Sequence, residues 1–159
     1  MDLEKKESGQ VVMFEQDGSN FYEQVEYLEK LLIESGSPDV FVGNSDKLPL
    51  THTFSDGIYT REIFIPKGMI AIGKVHKFEH TFFLLKGKLM LCTENGVVEL
   101  VAPYYGVAPS GTKRVVVAIE DSVFVNVHPN PDNVTNIEKL EEKFVVPSFD
   151  DYNEYKQLN

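Results

Sequence analysis

The sequence predicts an all-β fold, an antiparallel sandwich or barrel, with one amphipathic helix before it and a short helix after it. Three observations predict this. Between Val40 and His128, short runs rich in β-branched and aromatic residues recur at even spacing. Gly- and Pro-containing turns separate them, and the longest stretch of helical periodicity lies ahead of them all.

The elements follow in chain order. Residues 1–18 are polar and Gly-containing and read as a loose arm, with Val11, Val12, Met13 and Phe14 as a candidate short strand. From Phe21 to Ile33, FYEQVEYLEKLLI places Phe21, Val25, Leu28, Leu31 and Leu32 on one stripe at helical spacing, with Asn20 as cap and Glu23 three residues on. Glycine and proline in SGSPD stop that helix. The β-rich runs are GIYTREIFI, MIAIGKV, TFFLLKGKLMLCT, VVELV, RVVVAI and SVFVNVH, with turns at Pro66-Lys67-Gly68, Glu94-Asn95-Gly96 and Pro109-Ser110-Gly111. Asn95-Gly96 is the strongest hairpin signal, because both residues tolerate the positive φ of a type I′ turn. After His128, PNPDN is a turn, and Thr135 followed by Glu138 is a capping box opening a helix through about Phe144. The acidic, aromatic tail PSFDDYNEYKQLN is expected to be disordered or to dock on a neighbouring subunit through Phe149, Tyr152 and Tyr155. The boundaries are therefore 1–39 for arm and helix, 40–130 for the β-barrel, and 131–159 for the short helix and tail.

Composition bounds the function. The 159 residues are the size of one domain, and 42% hydrophobic content suffices for an ordinary core. Cys92 is the single cysteine and sits in an apolar run, so it reads as a small buried hydrophobe. A net charge of -10 works against non-specific binding to nucleic acid or to anionic membrane, since the long-range field repels phosphate. No secretory leader and no run of eighteen apolar residues is visible, which points to a cytoplasmic protein.

The stretch His76-Lys77-Phe78-Glu79-His80 spells H-x-x-E-H, a metallopeptidase zinc signature that works only on a helix. Here Gly73 precedes it and TFFLL follows, so the context is strand. On one straight strand the two histidines would lie ~13 Å apart at ~3.3 Å per residue. They share a site only if Lys77-Phe78-Glu79 is a corner. A phosphate-loop reading of Gly106 to Lys113 fails, because the order is G-x-x-x-x-G-T-K and no helix pattern follows.

At these residues the chain resembles the cupins, small antiparallel jelly-roll β-barrels whose first motif runs Gly, five residues, His-x-His, three or four residues, Glu, six residues, Gly. Gly68 and Gly87 take the glycine positions, His76 the second histidine, His80 the glutamate and Lys74 the first histidine. In the second motif Pro109-Ser110-Gly111 matches, while Arg114 stands at the histidine, Pro103 at the initial glycine and Ala118 at the terminal asparagine. The resemblance covers about Thr53 to His128, and the order of runs is similar to small cupins encoded in tailed-phage and prophage genomes. It implies host cytoplasm or virion as the location, a homo-oligomer, and phage structural proteins among the candidate partners.

In metal-binding cupins the four motif positions hold three imidazoles and a carboxylate, suited to iron, manganese, nickel or zinc. Lys74 and Arg114 have no lone pair to offer, so a tightly held metal is not expected; a divalent transition metal would have to use His76, His80 and His128. His128 ends the last strand, where it either reaches the same mouth or, before Pro129, lies exposed. The same set suits an anion. Arg114 forms a fork to phosphate or carboxylate, Lys74 adds a point charge, and Tyr59 and Arg61 join if their shared strand face points inward. The alternative is that Lys74 and Arg114 point outward or pair with Glu62, Glu79 or Glu99, and that Arg61 is a surface charge.

Three functions compete. The first is a ligand-binding barrel for a small anionic molecule held by Lys74, Arg114, Arg61 and Tyr59. The second is an enzyme with His76 and His80 as acid and base, or as metal ligands. The third is a structural jelly roll that joins subunits through its arm and tail. The fold alone does not choose among them.

Overall fold

A computed structural model describes residues 20–43, 49–93 and 96–159. The candidate strand at Val11 to Phe14 and Asn95 of the predicted hairpin turn lie outside them. Helix α1 spans Phe21–Ser35. The Asn20 side chain accepts the Glu23 amide at its start, and Gly36 ends it in left-handed backbone with φ 61°. Val25 is fully buried and packs with Phe21, Leu28 and Leu32 against Ile72, Cys92 and Val115. Leu31, predicted on that stripe, is exposed instead. At ~100° per residue it stands about a quarter-turn round from the stripe's centre.

Twelve strands follow among the described residues: β1 (Val40–Val42), β2 (Leu50–Ser55), β3 (Gly57–Ile65), β4 (Ile70–Ile72), β5 (Val75–His76), β6 (His80–Lys86), β7 (Lys88–Thr93), β8 (Gly96–Val101), β9 (Tyr104–Ala108), β10 (Val115–Ala118), β11 (Ser122–Asn130) and β12 (Val145–Val146). They form two five-stranded sheets, β1-β4-β10-β7-β8 and β2-β3-β11-β6-β9, with a small β12-β5 pair beside them. All pairings are antiparallel except β1 with β4. Two facing sheets with this crossing strand order make a jelly roll. Helix α1 covers the outer face of the first sheet, and the main apolar core lies between the sheets around Phe82, Leu84, Leu89, Leu91, Val116 and Phe124.

Two predicted runs prove to be two strands each. MIAIGKV divides into β4 and β5, and TFFLLKGKLMLCT divides at Gly87, where the chain leaves one sheet for the other. Gly87 has φ 88°, and a Cβ there would overlap the Ser122 side chain and the Asp121 carbonyl. The predicted hairpin forms with Thr93 opposite Gly96, so Gly96 belongs to β8.

A gradient of polarity runs along the barrel. On β11 the buried alternation is Ser122, Phe124, Asn126, His128 and Asn130; on β6 it is His80, Phe82 and Leu84. On β3 Tyr59 and Arg61 pair opposite His128 and Asn126, and Ile63 opposite Phe124. Ser122 apart, three adjacent strands thus place apolar side chains at one end and polar ones at the other.

The C-terminal segment differs most from the sequence reading. Helix α2 spans Ile137–Phe144 and is capped by Asn136, whose side chain accepts the Lys139 amide, and not by Thr135. Helix α3 spans Phe149–Leu158 and opens with a capping box between Ser148 and Asp151. The tail is ordered on its own chain: Phe149 and Tyr152 are buried against Val75, and the Phe149 amide donates to Glu26 Oε1 of α1. Lys113, next to Arg114, is buried in an ion pair with Glu29 and also donates to the Pro147 carbonyl at 3.3 Å. Among the described residues no helix is long and apolar enough to cross a membrane.

The sheet crossing at Gly87 should not tolerate a side chain. Gly87→Ala is expected to lower stability by about 2–4 kcal/mol, through positive-φ strain and overlap with the Asp121–Ser122 backbone, as read by urea unfolding. An unchanged midpoint would contradict the tight crossing.

Candidate functional site

The corner the two histidines require is present. His76 ends β5 and His80 begins β6 in the second sheet, so their ring centres lie 4.2 Å apart. Backbone bonds fix the corner: His76 N–H donates to the Thr112 carbonyl at 2.9 Å, and Lys77 N–H donates to the Phe144 carbonyl at 2.8 Å. No helix carries H-x-x-E-H, so the peptidase geometry is absent.

His128 completes a trio, with its ring 4.8 Å from His80 and 5.8 Å from His76. It is 4% exposed and not the open terminal histidine that Pro129 suggested. The alternation of β11 turns it inward, and Phe144 of α2 covers it with ring centres at 4.4 Å. Tyr59 stacks on the same group at 6.0 Å from His128, and its hydroxyl meets His52 Nδ1 at 2.8 Å. His52 gave no signal in the sequence; the β2–β3 register places it there.

The environment keeps these imidazoles neutral. Burial holds His128 down at about 3, with His80 and Arg61 adding to the shift. His76 is held well below 6.5, first by burial and then by His80, His128, Arg61 and Arg114. His80 is lowered by burial and by Arg114, against hydrogen bonds to Phe78 and Asn126 that act upward. His80 Nε2 lies 3.1 Å from Asn126 Oδ1 and its Nδ1 3.3 Å from the Phe78 carbonyl. His76 Nδ1 is buried and has no hydrogen-bond partner.

The predicted cations divide into two groups. Arg61 and Lys74 meet Glu141 of α2, at 3.8 Å and 3.5 Å, and not Glu62, Glu79 or Glu99. Glu99 pairs with Lys88 at 3.5 Å. Arg114 lies over the Phe82 ring, 4.5 Å from its centre, and burial lowers its pKa to about 10 while Tyr104 acts upward. It remains a cation at neutral pH, and among the described residues no carboxylate is in ion-pair range of it. Tyr59 is buried beneath α2, in contact with Leu140 and Phe144. Glu141, Asn126 and Phe144 were missed in the sequence. Asn126 had a signal, the period-two face of SVFVNVH; Glu141 had none, because its helix reaches the site only through tertiary packing.

A cleft of about 360 Å³ lined by Gly57, Glu79, His80, Val107 and His128 borders two of the three histidines. It opens where β6 and β11 part beyond the Thr81–Val127 pair.

A divalent transition metal shared by His76, His80 and His128 would require these rings to turn from the arrangement described. The three rings are stacked within 35° of parallel, so their nitrogens do not converge on one point. Both nitrogens of His80 face oxygen atoms, and no group of three His, Cys, Asp or Glu among the described residues is disposed around an ion.

No protein-family model matches the chain. No curated protein matches it. Solved structures similar to it include a cupin domain from Bordetella pertussis Tohama I, with 20% identity and a TM-score of 0.42 over 52% of this chain and 93% of that one. KdgF from Halomonas sp. has 16% identity and a TM-score of 0.46 over 55% of this chain and 85% of that one. A salicylate 1,2-dioxygenase from Pseudaminobacter salicylatoxidans has 13% identity and a TM-score of 0.49 over 76% of this chain and 35% of that one. The strand order above, and not these likenesses, establishes the jelly roll.

Imidazoles held neutral make stability depend on pH. Above about 6.5 the folded and unfolded states both carry them neutral and nothing is lost; below it the unfolded chain takes up protons that the folded one refuses. Stability should fall as pH drops from 6.5 towards 4, by up to about 1.4 kcal/mol per pH unit for each such histidine. His128 faces Tyr59, His76, His80 and Arg61, with Glu141 on the helix above. Replacing it, as His128→Gln, should flatten the denaturation-midpoint-versus-pH curve in that window; an unaltered slope would contradict a neutral His128.

Proposed function

We propose that the barrel binds a small anionic molecule, bearing phosphate or carboxylate, at its polar end, with Arg114 as the principal contact. Arg114 itself carries the reading. It is a partly buried guanidinium, pressed on Phe82, with no carboxylate in range among the described residues. A cation withdrawn from water without a counter-charge is costly, and an anion docked on its fork offsets that cost. His76 and His80 stand beside it as neutral hydrogen-bonding groups. The chain's net charge of -10 repels anions at long range, so a site of this kind selects by close contact and not by steering.

A second reading, an enzyme acting on the same anion, is favoured by His76 Nδ1, a buried nitrogen with no partner. Such an atom typically costs about 1–3 kcal/mol, and a substrate proton placed there would meet a neutral base, with neutral His80 beside it as a hydrogen-bonding group.

Arg114→Met preserves the side chain's volume and its contact with Phe82. It should weaken binding of phosphate or carboxylate ligands, found by thermal-shift screening, at least tenfold in calorimetry, with the melting temperature within a few degrees of the parent. Retained affinity would remove the binding reading. Under the enzyme reading, His76→Ala should abolish turnover of the bound molecule while leaving its affinity within a few-fold; turnover that survives the change would sink it.

A further inference from the structure

Resting on the anion-binding reading above, we propose that the site has two anionic poles and that Glu141 fills the second one when no ligand is bound. The molecule accepted is then a small dianion with negative groups at both ends. Arg114 is one pole. Arg61 and Lys74 are the other, and the carboxylate of Glu141 is divided between them, one oxygen 3.8 Å from Arg61 Nη1 and the other 3.5 Å from Lys74 Nζ. Both distances exceed the ~2.7–2.9 Å of a close charge-assisted hydrogen bond.

The strand register places groups between the poles. Arg61 stands opposite Asn126 on β11, Asn126 opposite Phe82 on β6, and Arg114 lies over the Phe82 ring, while His80 Nε2 is 3.1 Å from Asn126 Oδ1. His80, with His76 and His128 packed on its ring, therefore adjoins the interval between the two poles. The three rings are neutral and flat, so they supply contact area and hydrogen bonds to the middle of a ligand without competing for its charges.

Glu141 suits the part of a displaceable occupant. It sits on an eight-residue helix that Leu140 and Phe144 anchor to Tyr59, so its side chain can swing away while the helix stays packed. Its side chain is 23% exposed, with water on one side to receive it. A ligand with one negative group gains only Arg114. A ligand with two must replace Glu141, and the exchange of one carboxylate for another makes the second pole a filter for length and charge.

The test compares acetate with the dicarboxylates from malonate to adipate, titrated into the full chain and followed through the histidine Cε1–H resonances. Glu141→Gln keeps the shape of the side chain and vacates the pole. It should bind the dicarboxylate of matching length at least tenfold more tightly than the parent protein does, with acetate affinity changed less than twofold. Adding Arg61→Met to Glu141→Gln should erase the gain. If folded Glu141→Gln binds dicarboxylates no better than the parent, or if the gain survives Arg61→Met, the second pole is wrong. The two readings fail separately: acetate binding that persists in Arg114→Met removes the first pole, whereas an Arg61-dependent gain in Glu141→Gln upholds the second.

Discussion

The contact of Phe144 with His128 is the one on which the polar end of the barrel depends. A jelly roll left open at that end would wet the imidazoles and both nearby cations. With α2 laid across, Phe144 stacks on His128, Leu140 and Phe144 cover Tyr59, and Glu141 arrives between Arg61 and Lys74 in the same move. The Lys77–Phe144 backbone bond and the pairing of β12 with β5 then hold the corner that brings His76 against His80. Desolvation follows from this closure, and desolvation is the leading cause of the lowered pKa of all three histidines.

The charge distribution is local in its effect. The chain is strongly acidic overall, yet the barrel end gathers Arg61, Lys74 and Arg114 within reach of one small group of side chains. Coulomb interactions in a partly buried pocket outweigh those of a screened surface at equal distance. The net charge of -10 belongs to the whole chain, whereas the barrel end brings three cations close to one carboxylate, Glu141.

Much of the fold was legible because it is written in period two. GIYTREIFI is β3 to the residue, and its alternation put Tyr59 and Arg61 on one face, but which face turns inward came only from the pairing with β11. The corner at Lys77-Phe78-Glu79 was legible by exclusion, since a straight strand keeps the histidines apart. What escaped was carried by packing across long sequence distances. Strands β2 and β9 have mixed composition and are defined by their partners β3 and β6. The tail reads as solvated by composition, but Ser148 and Asp151 form a capping box and its aromatics find a surface that only the folded barrel supplies. Glu141 is a polar residue on an amphipathic helix, and nothing local separates it from Glu138 or Glu142.

The buried pair of Lys113 and Glu29 has a kinetic meaning. It joins the first helix to a late barrel loop across 84 positions, and the same ammonium reaches the Pro147 carbonyl just ahead of the last helix. These contacts become available only when nearly the whole chain is in place, since ordering loops of that size precedes any reward from them. Interactions of that kind are absent from an early transition state and weigh on the unfolding rate more than on the folding rate. A junction of that separation, where it is absent from the transition state, acts on how long the finished barrel persists more than on how quickly it forms.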